Sequence, residues 1–202
     1  MKKHLAGSMA GLTVLLLLAA PAFAALGKGD LAPAFKAEAS LAGKDFTFSL
    51  KKALKKGPVV LYFYPSAFTR GCDLEAHTFA DEKAEFNAVH ATIIGVSADD
   101  IQRLNAFSTD PNYCAGRFPV ASDADGTIAA SYGLAMAPPH PGAADVRGVA
   151  IAHGFIPRTT FVIARGGRIA ATLSSETDGL NPVEHVQESL AIVRRLSAEK
   201  TH

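Results

Sequence analysis

Apolar residues along the chain gather in short, nearly unbroken runs. Val59 to Tyr64 is one such run and ends at Pro65, while Ala91 to Val96 and Thr159 to Ala164 are two others. Runs of this length without a polar face are typical of strands that are buried on both sides of a sheet. We therefore predict three buried strands, of which the first is central.

Helical segments are predicted between and after these strands. Gly71 to Val89 carries its apolar residues on one side and should form a helix after the first strand. Asp99 and Asp100 open the next helix, since they place negative charge at the positive end of its dipole. Asn181 and Pro182 suit the N-cap and the first position of a final helix.

Shorter elements complete the pattern. We expect a strand at 46–48, a solvated basic turn at 51–56, a short strand at 118–120, a short helix at 126–133, and a strand at 169–173 that follows a Gly166-Gly167 hairpin turn. Strands that alternate with helices and end in a hairpin plus a helix predict an α/β domain of the thioredoxin type. Such a domain has a central mixed sheet flanked by helices.

One segment breaks this rhythm. Met136 to Gly154 contains three prolines, three glycines and two histidines, without a clear period. Loops longer than about 12–15 residues without secondary structure are commonly functional or mobile. We therefore predict a long surface loop that shapes the rim of a functional site.

The first residues have the layout of a secretory signal peptide. Lys2 and Lys3 precede an apolar run, and Ala22-Phe23-Ala24 suits a cleavage site. The alternative is a membrane anchor, but glycine, serine and proline interrupt the run, which falls short of the ~20 residues that a span needs. We expect a signal peptide at 1–24, a single domain at 25–202, and export, in a bacterium to the periplasm.

Charge narrows the choice of partners. The chain has 20 Lys and Arg residues and 19 Asp and Glu residues, and removal of Lys2 and Lys3 with the signal leaves a net charge of −1. No cluster of basic residues stands out in the sequence, so we do not expect nucleic acid as a partner. After signal removal we expect no membrane attachment either.

The chain has two cysteines, Cys72 and Cys114. In an exported protein, two cysteines are ordinarily interpreted as one structural disulfide. Cys72, however, follows a buried strand at the start of a predicted helix, where unpaired N–H groups and the helix dipole favour a thiolate and should lower its pKa. Thr69 stands where a dithiol exchanger would carry a second cysteine, so dithiol exchange is disfavoured.

The sequence around Cys72 resembles a family motif. Pro65-x-x-x-Thr69-x-x-Cys72, with Glu75 three residues on, is similar to the active-site motif of the peroxiredoxins. Three more segments are similar to other family signatures, in the same order: 28–35, 95–99 and 157–163. The resemblance covers most of residues 28–175 and is strongest to the peroxiredoxin Q, or bacterioferritin comigratory protein, subgroup.

This resemblance implies a thiol peroxidase that uses neither cofactor nor metal. Cys72 would attack hydrogen peroxide or an alkyl hydroperoxide and become a sulfenic acid. Arg158 would stabilise the thiolate and polarise the departing oxygen, and Glu75 would orient Arg158. Thr69 would hydrogen-bond the peroxide, and Pro65 would shield the sulfenate from water.

The resolving step departs from the commonest subgroup pattern, because His77 occupies the position of the usual second cysteine. The resemblance implies that Cys114 resolves the Cys72 sulfenate as an intramolecular disulfide; a one-cysteine enzyme with a buried Cys114 is the alternative. We expect a thioredoxin-like protein or a small thiol as reductant, and a monomer. An exported thiol-disulfide oxidoreductase, or a non-catalytic domain stapled by a Cys72–Cys114 bridge, remains open.

Overall fold

The computed structural model describes residues 24–199. The expected signal segment 1–24 therefore lies outside the described residues, apart from Ala24. Within residues 24–199, no helix is both long and apolar enough to cross a membrane.

The described residues form one seven-stranded sheet and six helices. The strands are β1 (Lys36–Leu41), β2 (Lys44–Ser49), β3 (Val59–Phe63), β4 (Thr92–Ser97), β5 (Val120–Ser122), β6 (Thr159–Ile163) and β7 (Ile169–Ser174). The helices are α1 (Leu50–Leu54), α2 (Arg70–Asp81), α3 (Lys83–Ala88), α4 (Ile101–Thr109), α5 (Thr127–Ser131) and α6 (Pro182–Ala198).

The sheet is mixed, with the strand order β2-β1-β5-β4-β3-β6-β7. The pairs β3–β4 and β4–β5 are parallel, and the remaining pairs are antiparallel. The predicted α/β domain with a central mixed sheet is confirmed. The register matters for the site: Thr159 pairs with Phe63, so the residue before β6 lies beside the end of β3.

Strand β3 lies inside the sheet because every one of its residues is apolar and buried. Side chains alternate between the two faces of a strand. Val60 and Tyr62 pack into one core with α2, α4 and α6. Leu61 and Phe63 pack into a second core on the other face, with α1 and α5. A strand held on both faces gives the residues that follow it a rigid base.

The structure corrects three expectations about local elements and adds one strand. The single helix expected at 71–89 is two helices, α2 and α3, with Glu82 at the break. The expected basic turn at 51–56 is largely helix α1, whose residues Leu50 and Ala53 are buried. Strand β1 was not predicted at all. Asp100 alone caps α4, since its side chain accepts a hydrogen bond from the Arg103 backbone.

Helix α6 begins as predicted. Asn181 accepts hydrogen bonds from the Val183 and Glu184 backbones, and the Glu184 carboxylate accepts one from the Asn181 backbone, which completes a capping box. Val186 and Val193 pack into the core that lies between the sheet and α2. The helix thus closes the face of the sheet on which Cys72 lies.

A buried histidine ties α6 to the sheet. Nδ1 of His185 lies 2.9 Å from the Thr160 hydroxyl, and Nε2 lies 3.0 Å from the Ser175 hydroxyl. The Ser175 hydroxyl donates its only proton to the Leu180 carbonyl, so it can only accept a hydrogen bond from His185. We therefore assign the ring proton to Nε2, and Nδ1 accepts a hydrogen bond from Thr160. Burial, and then the nearby Arg158 cation, lower the pKa of His185 to about 4. The ring is therefore neutral at neutral pH.

We expect His185 to make stability depend on pH below neutrality. Its folded pKa of about 4 lies below the ordinary ~6.5, so the unfolded chain takes up the proton first, and the free energy of unfolding falls as the pH drops from about 6.5 to 4. His185→Gln should remove about 1–3 kcal/mol of this pH-dependent loss. Urea unfolding at several pH values measures it.

The matched control is His77→Gln. His77 is an exposed histidine whose Nε2 lies 3.3 Å from the Asp81 carboxylate, and its replacement leaves the hydrogen bonds of His185 to Thr160 and Ser175 intact. Parallel curves for wild type and His185→Gln would refute the assignment of a neutral, buried His185.

Candidate active site

The residues from 65 to 69, called here the 65–69 turn, connect β3 to α2. Asp99, which follows β4, accepts hydrogen bonds from the Ser66 hydroxyl at 2.8 Å and the Ala67 backbone N–H at 2.7 Å. The Thr69 hydroxyl donates to the Ser66 carbonyl at 2.8 Å. The turn is therefore tied both to itself and to the neighbouring parallel strand.

Cys72 lies in the first turn of α2, where its sequence position predicts it. Its side chain is buried, with 2% of the residue exposed. Thr69 occupies the N-cap position, but its hydroxyl is engaged by the Ser66 carbonyl rather than by the helix. Pro65 is half-buried at the start of the turn. Strand β3 and this short turn thus place the thiol at the edge of the core.

Arg158 joins Cys72 to Glu75. Its Nη2 donates to the Cys72 sulfur at 3.3 Å, and its Nη1 pairs with Glu75 Oε2. Arg158 is far from the other two residues in sequence, and the β3–β6 pairing brings it to them. Gly71 leaves room for the guanidinium, because a Cβ at this position would lie 3.1 Å from Arg158 Nη2. The site residues Cys72, Glu75 and Arg158, named from the resemblance, are therefore in contact.

Burial controls the charge of the thiol. Desolvation raises the pKa of Cys72, while Arg158, the Thr69 side chain and the Ser66 backbone act to lower it. The expectation that the start of the helix lowers this pKa is wrong, because burial removes water from the thiol and raises the pKa more than the neighbouring groups lower it. The guanidinium of Arg158 is the main group that favours the thiolate.

Glu75 competes with Cys72 for the same cation. The carboxyl group is fully buried, and burial raises its pKa to about 7, although Arg158 opposes the rise. Among residues 24–199, Glu75 Oε1 has no hydrogen-bond partner. A protonated Glu75 leaves the Arg158 charge to the sulfur, so the site best supports a thiolate when Glu75 is neutral.

Cys114 is buried in the turn after α4, and it belongs to the same apolar core as Cys72. Both cysteines are free thiols in this structure. Burial raises the pKa of Cys114 well above its usual value, and the charges of Asp73 and Asp110 raise it further. Cys114 is therefore a neutral thiol in this arrangement, packed as a small apolar residue.

Asp99 is a site residue whose role the sequence did not reveal. Asp99 is fully buried. In addition to the hydrogen bonds from the 65–69 turn, it accepts one from the Ser97 hydroxyl at 2.7 Å. Its sequence neighbour Asp100 is the helix cap. Two adjacent aspartates suit a helix start equally well, so only the resemblance of segment 95–99 to a family signature pointed to this position.

The described residues also bear on metal chemistry. Within residues 24–199, no group of three or more His, Cys, Asp or Glu side chains is placed to hold a metal ion.

Comparison with known proteins agrees with this geometry. The model of the AhpC/TSA family matches residues 28–172. A Mycobacterium tuberculosis protein assigned as a peroxiredoxin is 34% identical over 147 residues, which is 73% of this chain and 84% of that protein. Chloroplastic peroxiredoxin Q of Populus jackii is 30% identical over 175 residues, covering 86% of this chain and 71% of the relative.

Structural comparison also indicates a peroxiredoxin. The crystal structure of peroxidoxin BcpB from Mycobacterium tuberculosis superimposes with a TM-score of 0.69 and 30% identity, covering 84% of this chain and 97% of that one. The matched family region includes the whole contact among Cys72, Glu75 and Arg158. The chain belongs to the AhpC/TSA family and is a peroxiredoxin, an enzyme that reduces peroxides with a cysteine thiol.

Proposed function

We propose that this peroxiredoxin reduces hydrogen peroxide or an alkyl hydroperoxide through a sulfenic acid at Cys72. The observation that carries the assignment is the Arg158 guanidinium, which contacts the Cys72 sulfur and pairs with a buried Glu75. Cys72 has a fixed cation beside it in a site that excludes water. At Cys114, by contrast, the charges of Asp73 and Asp110 add to burial in raising the pKa of the thiol.

The proposed first step is a displacement at oxygen. The Cys72 thiolate attacks one peroxide oxygen, the S–O bond forms as the O–O bond breaks, and the departing oxygen takes a proton and leaves as water or an alcohol. The sulfur is oxidised to a sulfenic acid and the peroxide is reduced. Arg158 stabilises the charge that moves from sulfur to the leaving oxygen. Thr69 and Pro65 keep the roles that the resemblance implies, hydrogen bonding to the peroxide and shielding the sulfenate.

We further propose that Cys114 resolves the sulfenic acid. Its thiol would attack the Cys72 sulfur, form the disulfide and release water. A disulfide requires Cα atoms about 4.4–6.8 Å apart, and the two cysteines lie in different elements as buried free thiols. We expect local unwinding of the turn that carries Cys114, or of the start of α2, to accompany the bond, because both thiols are packed in the core in this structure.

The cellular setting is also a proposal. The layout of residues 1–24 supports export to the periplasm of a bacterium, and a reductant there would be a thioredoxin-like protein or a small thiol. The resemblance to the peroxiredoxin Q subgroup supports a monomer.

We expect Cys72→Ser to abolish peroxide consumption, because a hydroxyl at this position is a far weaker nucleophile than a thiolate. Consumption is followed with hydrogen peroxide and dithiothreitol, and dimedone labelling located by mass spectrometry should mark Cys72 in the wild type. The far-ultraviolet circular dichroism of the variant should be unchanged, as it should be for Cys114→Ser. Wild-type turnover that survives Cys72→Ser would overturn the assignment, and a thiol-disulfide oxidoreductase would show disulfide exchange without peroxide turnover.

One equivalent of peroxide should convert the wild type to a form two mass units lighter, with a peptide that joins Cys72 to Cys114, because disulfide formation removes two hydrogens. Cys114→Ser should instead retain the sulfenic acid and pass to sulfinic acid with excess peroxide. Intact-mass and peptide mass spectrometry distinguish the two. A wild type that gains one oxygen and forms no internal disulfide would establish the one-cysteine alternative.

Expression of the full chain in a bacterium tests export. We expect the mature protein in the periplasmic fraction, with its N-terminus at Ala25, since Ala22-Phe23-Ala24 suits the cleavage site. Intact-mass spectrometry of the fraction measures the N-terminus, and Ala24→Arg should block processing. A full-length, uncleaved wild type would contradict the proposed signal peptide.

A further inference from the structure

The long loop at 136–154 makes a specific contact with the 65–69 turn. The Arg147 guanidinium carbon lies 3.2 Å from the centroid of the Phe68 ring. Asp145 fixes this guanidinium by accepting from its Nε at 3.0 Å and its Nη2 at 2.6 Å. The backbone N–H of Val146, which lies between Asp145 and Arg147 in the sequence, donates to the Phe68 carbonyl at 2.9 Å. The loop therefore holds both the ring and the backbone of Phe68.

Arg103 of α4 connects this contact to the residue before Phe68. Its Nη2 lies 2.8 Å from Asp145 Oδ2 and donates to the Ala67 carbonyl at 2.9 Å. Its Nε lies 2.9 Å from Asp99, the carboxylate that also binds the Ala67 backbone N–H. Two arginines and two aspartates thus link the loop, α4 and the 65–69 turn in one network.

Phe68 is a residue that needs such support. Its φ of 60° is rare for a bulky side chain, because the left-handed region is sterically costly for residues other than glycine. A backbone in that conformation persists only when its surroundings hold it there. Release of the contacts to Phe68 would let the backbone relax and carry Thr69 and the start of α2 with it.

The Phe68 ring also contacts the segment that carries Cys114. The ring packs edge-on against Phe107 at 5.1 Å and against Tyr113 at 5.5 Å between centroids. Tyr113 directly precedes Cys114. Phe68 therefore contacts both Arg147 and the residue next to Cys114, the thiol proposed to attack the Cys72 sulfenic acid.

We propose that Arg147 is a positioning residue: by covering Phe68 it holds the 65–69 turn ready for peroxide, and its release precedes attack on the Cys72 sulfenic acid. This inference rests on the proposed function of Cys72. The Arg147 side chain is 39% exposed, so the contact can open without breaking the core. A closed contact favours the reaction of Cys72 with peroxide, and an open contact favours the reaction of the sulfenic acid with a thiol.

Loss of the Arg147 contact should change two reaction rates in opposite directions, which a simple loss of structure would not do. Arg147→Ala should slow the oxidation of Cys72 by roughly 5–10-fold and speed disulfide formation with Cys114 by a similar factor, as expected for losing one cation–π contact and its partners. In a variant that is only destabilised or misfolded, the oxidation of Cys72 would become slower and disulfide formation with Cys114 would not become faster. Arg147→Lys, which keeps the charge but not the planar fork, should lie between Arg147→Ala and the wild type.

Both rates can be measured without a tryptophan signal, which this chain lacks. Rapid mixing with hydrogen peroxide, quenching with an alkylating reagent and mass spectrometry give the time courses of thiol, sulfenic acid and disulfide. Arg194→Ala is the matched control, since Arg194 is an exposed arginine whose Nη2 donates to Glu85 at 2.5 Å, and it should change neither rate.

The Cys114→Ser background removes any dependence on the resolving step. There, capture of the Cys72 sulfenic acid by an added small thiol replaces disulfide formation, and Arg147→Ala should accelerate it. Unchanged rates in Arg147→Ala, or two rates that fall together, would overturn the role of Arg147. A wild type that forms no sulfenic acid at Cys72 would instead overturn the proposed function itself, so the two failures are distinguishable.

Discussion

The contact between the Arg158 guanidinium and the Cys72 sulfur is the interaction on which the site depends. It brings a fixed positive charge to a thiol whose pKa burial raises, and this charge opposes the rise. A buried charge is costly unless it is paired, and Arg158 is paired on its other side by Glu75. The sheet determines the geometry, because Thr159 pairs with Phe63 and so fixes Arg158 beside the end of β3.

Burial of Cys72 has a cost and a benefit. The cost is the raised pKa, which leaves less thiolate than an exposed cysteine at a helix start would have. The benefit is that a charge near the sulfur acts through a medium of low dielectric constant, where its effect is several times larger than in water. Glu75 shares this environment, with a pKa raised to about 7, so the state of the thiol near neutral pH depends on both acids together.

The sequence predicted the parts of this structure whose local signals agree with their tertiary setting. Strand β3 was recognisable because all its residues are buried, and α6 because Asn181 and Pro182 form a typical helix start. Strand β1 was missed because its buried positions are mainly alanine and serine, which give a weak apolar signal. Helix α1 was missed because its lysines dominate a segment in which only Leu50 and Ala53 are buried.

The sequence likewise indicated which residues form the candidate site but not how packing determines their properties. The resemblance named Cys72, Glu75 and Arg158, and the structure places them in contact. No local pattern could show that burial raises the pKa of Cys72 more than its neighbours lower it, since burial depends on packing from α6 and β6. Nor could a pattern show that Asp99 faces inward while Asp100 caps a helix.

A peroxidatic thiol of this kind must satisfy two opposed requirements. The reaction with peroxide needs a closed site, because the Arg158 charge acts strongly only where water is excluded. The later reaction of the sulfenic acid needs an open one, because Cys72 is buried and a second thiol has to reach its sulfur. A turn that is stable only while held from outside meets both, and the positive φ of Phe68 gives the 65–69 turn that property. The balance between closed and open forms is then set by contacts outside the catalytic residues, and so it can change without altering the chemistry at Cys72.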